Sequence, residues 1–211
     1  MASKISNFSL KNFKAKVASE GLARPTRFEV EIYPPNVMSS VYGRRETETV
    51  NLFCEITSLP PYIVGVRPQR LYGPTIYRPF GAEYGGEGIS MTFYLDRSMN
   101  VKSFFDTWIE QIVNPNTYHV SYSQSYSTSM LIWQLDEQNK TTYGARLDDA
   151  FPRSIVPIEL NSSNQNSIHR MVVNFAYRKW TPIHDLSDRF KEQRRGTVQI
   201  IPGPEFGQTN R

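Results

Sequence analysis

The chain has 211 residues, with 12 Tyr, 12 Phe, 3 Trp, a single Cys and a net charge of +4. That length holds one ordinary domain with a core, or one domain plus arms. One Cys excludes an intramolecular disulfide and a structural zinc site built on cysteines; no 18-residue apolar run exists for a membrane-spanning helix; and 14 Pro with 12 Gly are too few for a disordered or collagenous chain. The positive charge is local: residues 1–27 sum to +5, residues 181–211 to +1, and residues 28–180 to −2. A basic segment of this kind reads as a solvated or partner-facing helix rather than a surface that reads DNA. Lys4 is not followed by an apolar stretch with a small-residue cleavage site, so synthesis in the cytosol is expected.

In chain order, residues 6–20 have the pattern of a short amphipathic helix, with Leu10, Phe13 and Val17 on one stripe, Ser6 or Ser9 as cap and Gly21 as terminator. Residues 27–33 alternate as a half-buried strand with Phe28, Val30 and Ile32 inward, and Pro34-Pro35 stop it. Residues 36–48 are polar and read as a loop. Val50, Leu52, Cys54 and Ile56 alternate as a second strand, ended by Leu59-Pro60-Pro61. Residues 62–88 are rich in Arg, Tyr, Pro and Gly without core periodicity, as in an extended arm or long hairpin held by partners.

Met91, Phe93 and Leu95 mark a third strand. Residues 100–113 give the clearest helical signal, with Val101, Phe104, Phe105, Trp108 and Ile112 on one face and Asn114-Pro115 at the end. Residues 118–129 are Tyr/Ser-rich and fit a strand or an ordered loop. Residues 130–135 and 141–147 read as a hairpin around residues 136–140. Residues 155–160 and 171–177 read as a final pair joined by a polar Asn/Ser loop, with Met171, Val173, Phe175 and Tyr177 inward. The sum is a mainly β fold: an antiparallel β-sandwich or barrel with a flanking α-helix and extended arms.

No constellation of residues supports catalysis, a metal or a cofactor. His119, His169 and His184 lack ligand spacing, and Cys54 sits on the apolar face of a strand. Asp148-Asp149 read as a turn rather than an acid/base pair, and Gly85-Gly86-Glu87-Gly88 precedes a strand, not the helix that a phosphate loop requires. Tyr118, Tyr122 and Tyr126 have the spacing of a base-stacking set, yet residues 116–139 contain no Lys or Arg to track a backbone. Aromatic surface and arms without a reactive site characterise an assembly component.

Six collinear segments over residues 20–180 resemble the tail tube proteins of contractile-tailed phages. They are Ala23 to Ile32, Phe53 to Pro60, Phe104 to Trp108, the Ala150-Phe151-Pro152 corner within 147–155, the polar loop at 161–167, and Phe175 to Trp180. The tubes of R-type pyocins and type VI secretion are related. The resemblance implies a homo-hexameric ring stacked into a tube whose lumen conducts DNA and the tape measure protein. It also implies a surrounding tail sheath, baseplate, initiator or terminator proteins at the ends, no membrane binding, and a place in the virion tail after synthesis in the host bacterial cytoplasm. A baseplate-proximal tube initiator of the same fold is the alternative, because the chain carries additions to the minimal pattern. Three regions result: a basic helical segment at 1–22, the tube domain at 23–180 and an extension at 181–211. Arg and aromatic residues are the usual interface anchors. Arg67, Arg70, Tyr72, Tyr77, Arg78 and Phe80 of the arm are therefore candidate contacts, as is the apolar patch Val198, Ile200 and Ile201 in the tail.

Overall fold

The computed structural model describes residues 9–70, 72–83, 88–163 and 168–183. Its centre is an antiparallel sheet in the order β1 (Phe28–Ile32), β6 (Thr128–Leu135), β7 (Thr141–Ile155), β8 (Arg170–Ala176), β5 (Ile89–Tyr94), β2 (Cys54–Ile56). A further strand, β9 (Lys179–Ile183), pairs with the first half of β7. β7 is long enough to serve two layers. Residues 141–150 pair with β6 on one side, residues 144–148 with β9 on the other, and residues 151–155 with β8. The chain bends between these halves at Asp149, whose φ is 54°. The result is a nearly closed barrel that curls a β1-β6-β7-β9 layer against a β7-β8-β5-β2 layer. This is the mainly β, antiparallel class expected from the sequence.

Helix α3 (Asn100–Ile112) packs its apolar face onto the core. Val101, Phe104, Phe105, Trp108 and Ile112 are all buried, as their spacing requires. The Trp108 ring stacks on Phe105 and meets Phe104 and Phe175 edge-on, and its Nε1–H donates to the Tyr126 carbonyl at 2.8 Å. Val30 and Ile32 of β1, Met91 and Phe93 of β5, and Met171, Val173 and Phe175 of β8 complete this core. Phe28 and Tyr177, also expected inward, pack at its margin.

Several sequence expectations need correction. Residues 36–48 are not a loop: a 3-10 turn (Asn36–Met38) leads to helix α2 (Arg44–Leu52), and strand pairing begins only at Cys54. Thr47 and Val50, one helical turn apart, are buried, while Leu52 is 81% exposed, so the apparent alternation through Val50 and Leu52 was helical. Residues 156–160 are not a strand; the partner of β8 is the second half of β7, and the Phe151-Pro152 segment is ladder rather than corner. The Tyr/Ser-rich stretch holds one turn of helix, α4 (Ser123–Tyr126).

Helix α1 (Leu10–Glu20) forms as expected from Ser9, whose Oγ accepts from Lys11 N–H. It buries no residue, and its stripe residues Leu10 and Phe13 are exposed. Gly144 is fixed by close approach: a Cβ there would lie 2.2 Å from the Trp133 ring.

Candidate assembly interface

The arm is a hairpin, β3 (Ile63–Gln69) with β4 (Ile76–Glu83), forming a two-stranded sheet of its own. Its base is pinned to the barrel. Trp180 Nε1–H donates to the Pro61 carbonyl at 2.9 Å, and the Tyr62 ring meets Trp180 edge-on at 6.0 Å. Beyond that base the strands stand clear: Val66 is 53% exposed, Tyr77 67% and Phe80 69%. Isolated two-stranded hairpins are marginal in water.

Register defines its two faces. Val64 pairs with Ala82, Val66 with Pro79 and Pro68 with Tyr77, so one face is wholly apolar. On the other face Phe80 lies over Gly65, where a Cβ would come within 2.8 Å of its ring, and Arg67 stands directly opposite Arg78. Like charges facing across a ladder are destabilising. Among the described residues no carboxylate pairs with either Arg. The hairpin thus presents one apolar side and one side on which Arg67 and Arg78 stand together. Five of the six arm candidates lie on this hairpin or its turn, with Tyr72 in the left-handed region at φ 46°. Arg70 borders the same turn. Val198, Ile200 and Ile201 lie outside the described residues.

The sequence did not disclose the second feature, an open strand edge. Among the described residues β1 pairs only with β6. Leu135 N–H donates to the Arg27 carbonyl, and ladder alternation then turns the N–H and C=O groups of Phe28, Val30 and Ile32 outward. Those of Ile32 are taken by the Asn51 amide, which accepts from Ile32 N–H at 2.9 Å and donates to its carbonyl at 3.4 Å. Asn51 thereby stands in for a neighbouring strand at one end of β1. Beside it lies an open cleft of about 880 Å³ between β1 and α2, lined by Phe28, Val30, Tyr33, Tyr42, Thr47 and Leu52.

The remaining chemistry is quiet. Burial pushes the Cys54 thiol up to about 12, far from a reactive thiolate. Asp148 is ion-paired with Arg146 at 2.8 Å and Asp149 with Arg178, so the two acids brace the bend of β7. Tyr118 and Tyr122 are exposed, while Tyr126 packs edge-on against Phe151 at 5.3 Å, so the three do not form a stacking platform. Among the described residues no group of three His, Cys, Asp or Glu side chains is placed to hold a metal ion, and no helix is long and apolar enough to cross a membrane.

The chain is thus a nearly closed antiparallel barrel with a packed helix, a projecting hairpin and, among the described residues, a β1 edge without a second strand partner. The family model described as phage tail tube protein matches residues 23–182, and the chain belongs to that family. Solved structures share the fold. The sheath-tube complex of an extracellular contractile injection system (PVC) in its extended state contains a chain with TM-score 0.55 and 12% identity, covering 81% of this chain and 97% of that one. The six-fold symmetrised baseplate of the anti-feeding prophage has one with TM-score 0.54 and 12% identity, covering 77% and 95%. The tube-terminating cap of the same particle has one with TM-score 0.54 and 12% identity, covering 88% and 100%. No curated protein sequence matches the chain. The protein is thus a structural component of tail-tube type.

Proposed function

We propose that six copies of the chain close into a ring and that rings stack into the inner tube of a contractile phage tail, with the lumen carrying DNA and the tape measure protein. The observation that carries this reading is the hairpin, exposed along most of its length and, among the described residues, pinned to its own barrel at the base. Its apolar face and the Arg67–Arg78 side engage a neighbouring subunit or the next ring. Rotational closure gives the open edge of β1 a partner, while head-to-tail stacking leaves both ring faces available and generates a filament. The lumen wall comes from strands within 28–180, whose net charge of −2 keeps transiting DNA from adhering. Val198, Ile200 and Ile201 dock on an adjacent subunit. The likeness to a sheath-tube complex and to a tube terminator favours a sheath outside the tube and capping proteins at its ends.

One observation favours the second reading, a ring at the baseplate end that initiates the tube. Helix α1, with Leu10 and Phe13 uncovered, precedes the matched region 23–182 and supplies an additional contact surface. Light scattering on the purified chain tests the main reading. The expected result is a species of six times 24.3 kDa that grows to larger multiples with concentration. A strict monomer or dimer at every concentration would contradict it.

A further inference from the structure

Strand β1 ends the β1-β6-β7-β9 layer with two differently made faces. Phe28, Val30 and Ile32 point to the core side, where Val30 and Ile32 are buried, while Glu29 on the opposite face is exposed. Among the described residues no second strand lies beside the outward N–H and C=O groups of Phe28 and Val30, and the Asn51 amide takes those of Ile32. Leu52 borders the same opening from α2 and is exposed. A strand added here must set apolar side chains beside Phe28 and Leu52. Its other face must carry groups that suit the carboxylates of Glu29 and Glu31.

The β3–β4 hairpin has that alternation. Strand β3 puts Val64, Val66 and Pro68 on one side and Arg67 on the other; across the ladder Pro79 and Tyr77 extend the apolar side, and Arg78 joins Arg67. Residues 63–82 include Arg67, Arg70 and Arg78 and no Asp or Glu, whereas the cleft is lined by Glu29, Glu31 and Glu48 against Arg44. Opposite charges on neighbouring strands are favourable, while the Arg67–Arg78 juxtaposition by itself is not. Position agrees as well. The hairpin is pinned at Trp180 of β9, three strand spacings (~14 Å) from β1 across β7 and β6, so its own β1 lies at the far edge of the layer. Its seven register pairs span ~23 Å, enough to reach a second molecule beside β9.

We propose, resting on the ring described under the proposed function, that the β3–β4 hairpin of one copy adds to the free edge of β1 in the next copy. Val64, Val66 and Tyr77 then lie with Phe28 and Leu52 in the cleft of about 880 Å³, and Arg67 and Arg78 face Glu29 and Glu31. Hydrogen bonds to Phe28 and Val30 close the edge. The charges decide which face turns inward, because the inverted hairpin would bury two guanidinium groups against apolar residues. With donor and acceptor on opposite edges of one layer, the contact runs head to tail, the kind that closes a ring.

Photo-crosslinking of the full-length chain tests this contact, with Tyr77 replaced by p-benzoylphenylalanine in isotope-labelled copies that are mixed with unlabelled ones before assembly. The expected products join a labelled to an unlabelled copy at residues 28–33 or 44–54. An assembly whose crosslinks fall elsewhere overturns the contact and leaves the ring standing. An unaltered chain that stays monomeric in light scattering removes the ring and the contact together. If the photoreactive residue blocks assembly, charge reversal decides. Glu29→Arg should raise the concentration needed for assembly about tenfold or more, and Arg67→Glu with Arg78→Glu in the same chain should bring it back. An assembly indifferent to Glu29→Arg, or not restored by the triple change, overturns the contact.

Discussion

Replacing Trp108 by Ala removes the centre of the aromatic cluster. The side chain is fully buried, stacks on Phe105 at 6.4 Å between centroids, and touches Phe104 at 5.8 Å and Phe175 at 6.3 Å. Truncation of such a residue costs about 3–5 kcal/mol in lost transfer energy and residual cavity. The Tyr126 carbonyl also loses its donor, adding about 1 kcal/mol. A total of about 4–6 kcal/mol is comparable with the whole stability of many domains. For a chain of this size it corresponds to a fall in thermal midpoint of roughly 10–20 °C. Scanning calorimetry on the unassembled subunit measures that fall, and Trp108→Phe serves as the control that keeps a ring but removes the donor. An aggregated or unfolded product fits the expectation. A soluble Trp108→Ala subunit melting within about 2 °C of the unaltered protein would refute the packing argument.

Replacing residues 66–79 by a two-residue Asn-Gly turn should leave the subunit's thermal midpoint unchanged and abolish polymerisation; normal tubes from this variant would remove the hairpin from the interface. Asn51→Ala orphans the Ile32 N–H and should destabilise the subunit by about 1–3 kcal/mol in urea titration, and an unchanged midpoint would show that Asn51 does not anchor β1. The Cys54 thiol, raised to about 12 by burial, should resist alkylation at pH 8 until the subunit unfolds. Because the unfolded thiol ionises near its ordinary value of about 8.5, stability should decline as pH rises from there towards 12; Cys54→Ser should remove that part of the decline.

The sequence made some elements legible because their signals are local. Helix α3 concentrates three large aromatics on one stripe, and β8 alternates Met171, Val173 and Phe175 without interruption. Helix α2 was hidden because it buries only Thr47 and Val50, and because Cys54 and Ile56 beyond it extend a false alternation. What holds α2 beside β1 is the Asn51 amide on Ile32, a contact 19 residues distant that no local window contains. The continuation of β7 through Pro152 is likewise non-local, set by its pairing with β8 and by the bend at Asp149. Strand β9 escaped notice because Lys179–Ile183 contains Pro182 and does not alternate cleanly. The arm was readable from composition, since its aromatics lack core spacing. Its two chemically distinct faces emerged only with the register that sets Arg67 against Arg78.

Electron cryomicroscopy of the purified full-length chain under assembly conditions tests the central claim most directly. The expected result is stacked rings of six subunits, with the β3–β4 hairpin of each lodged against a neighbour or the next ring. Particles without rotational closure, or rings in which every hairpin stands free in solvent, would contradict it.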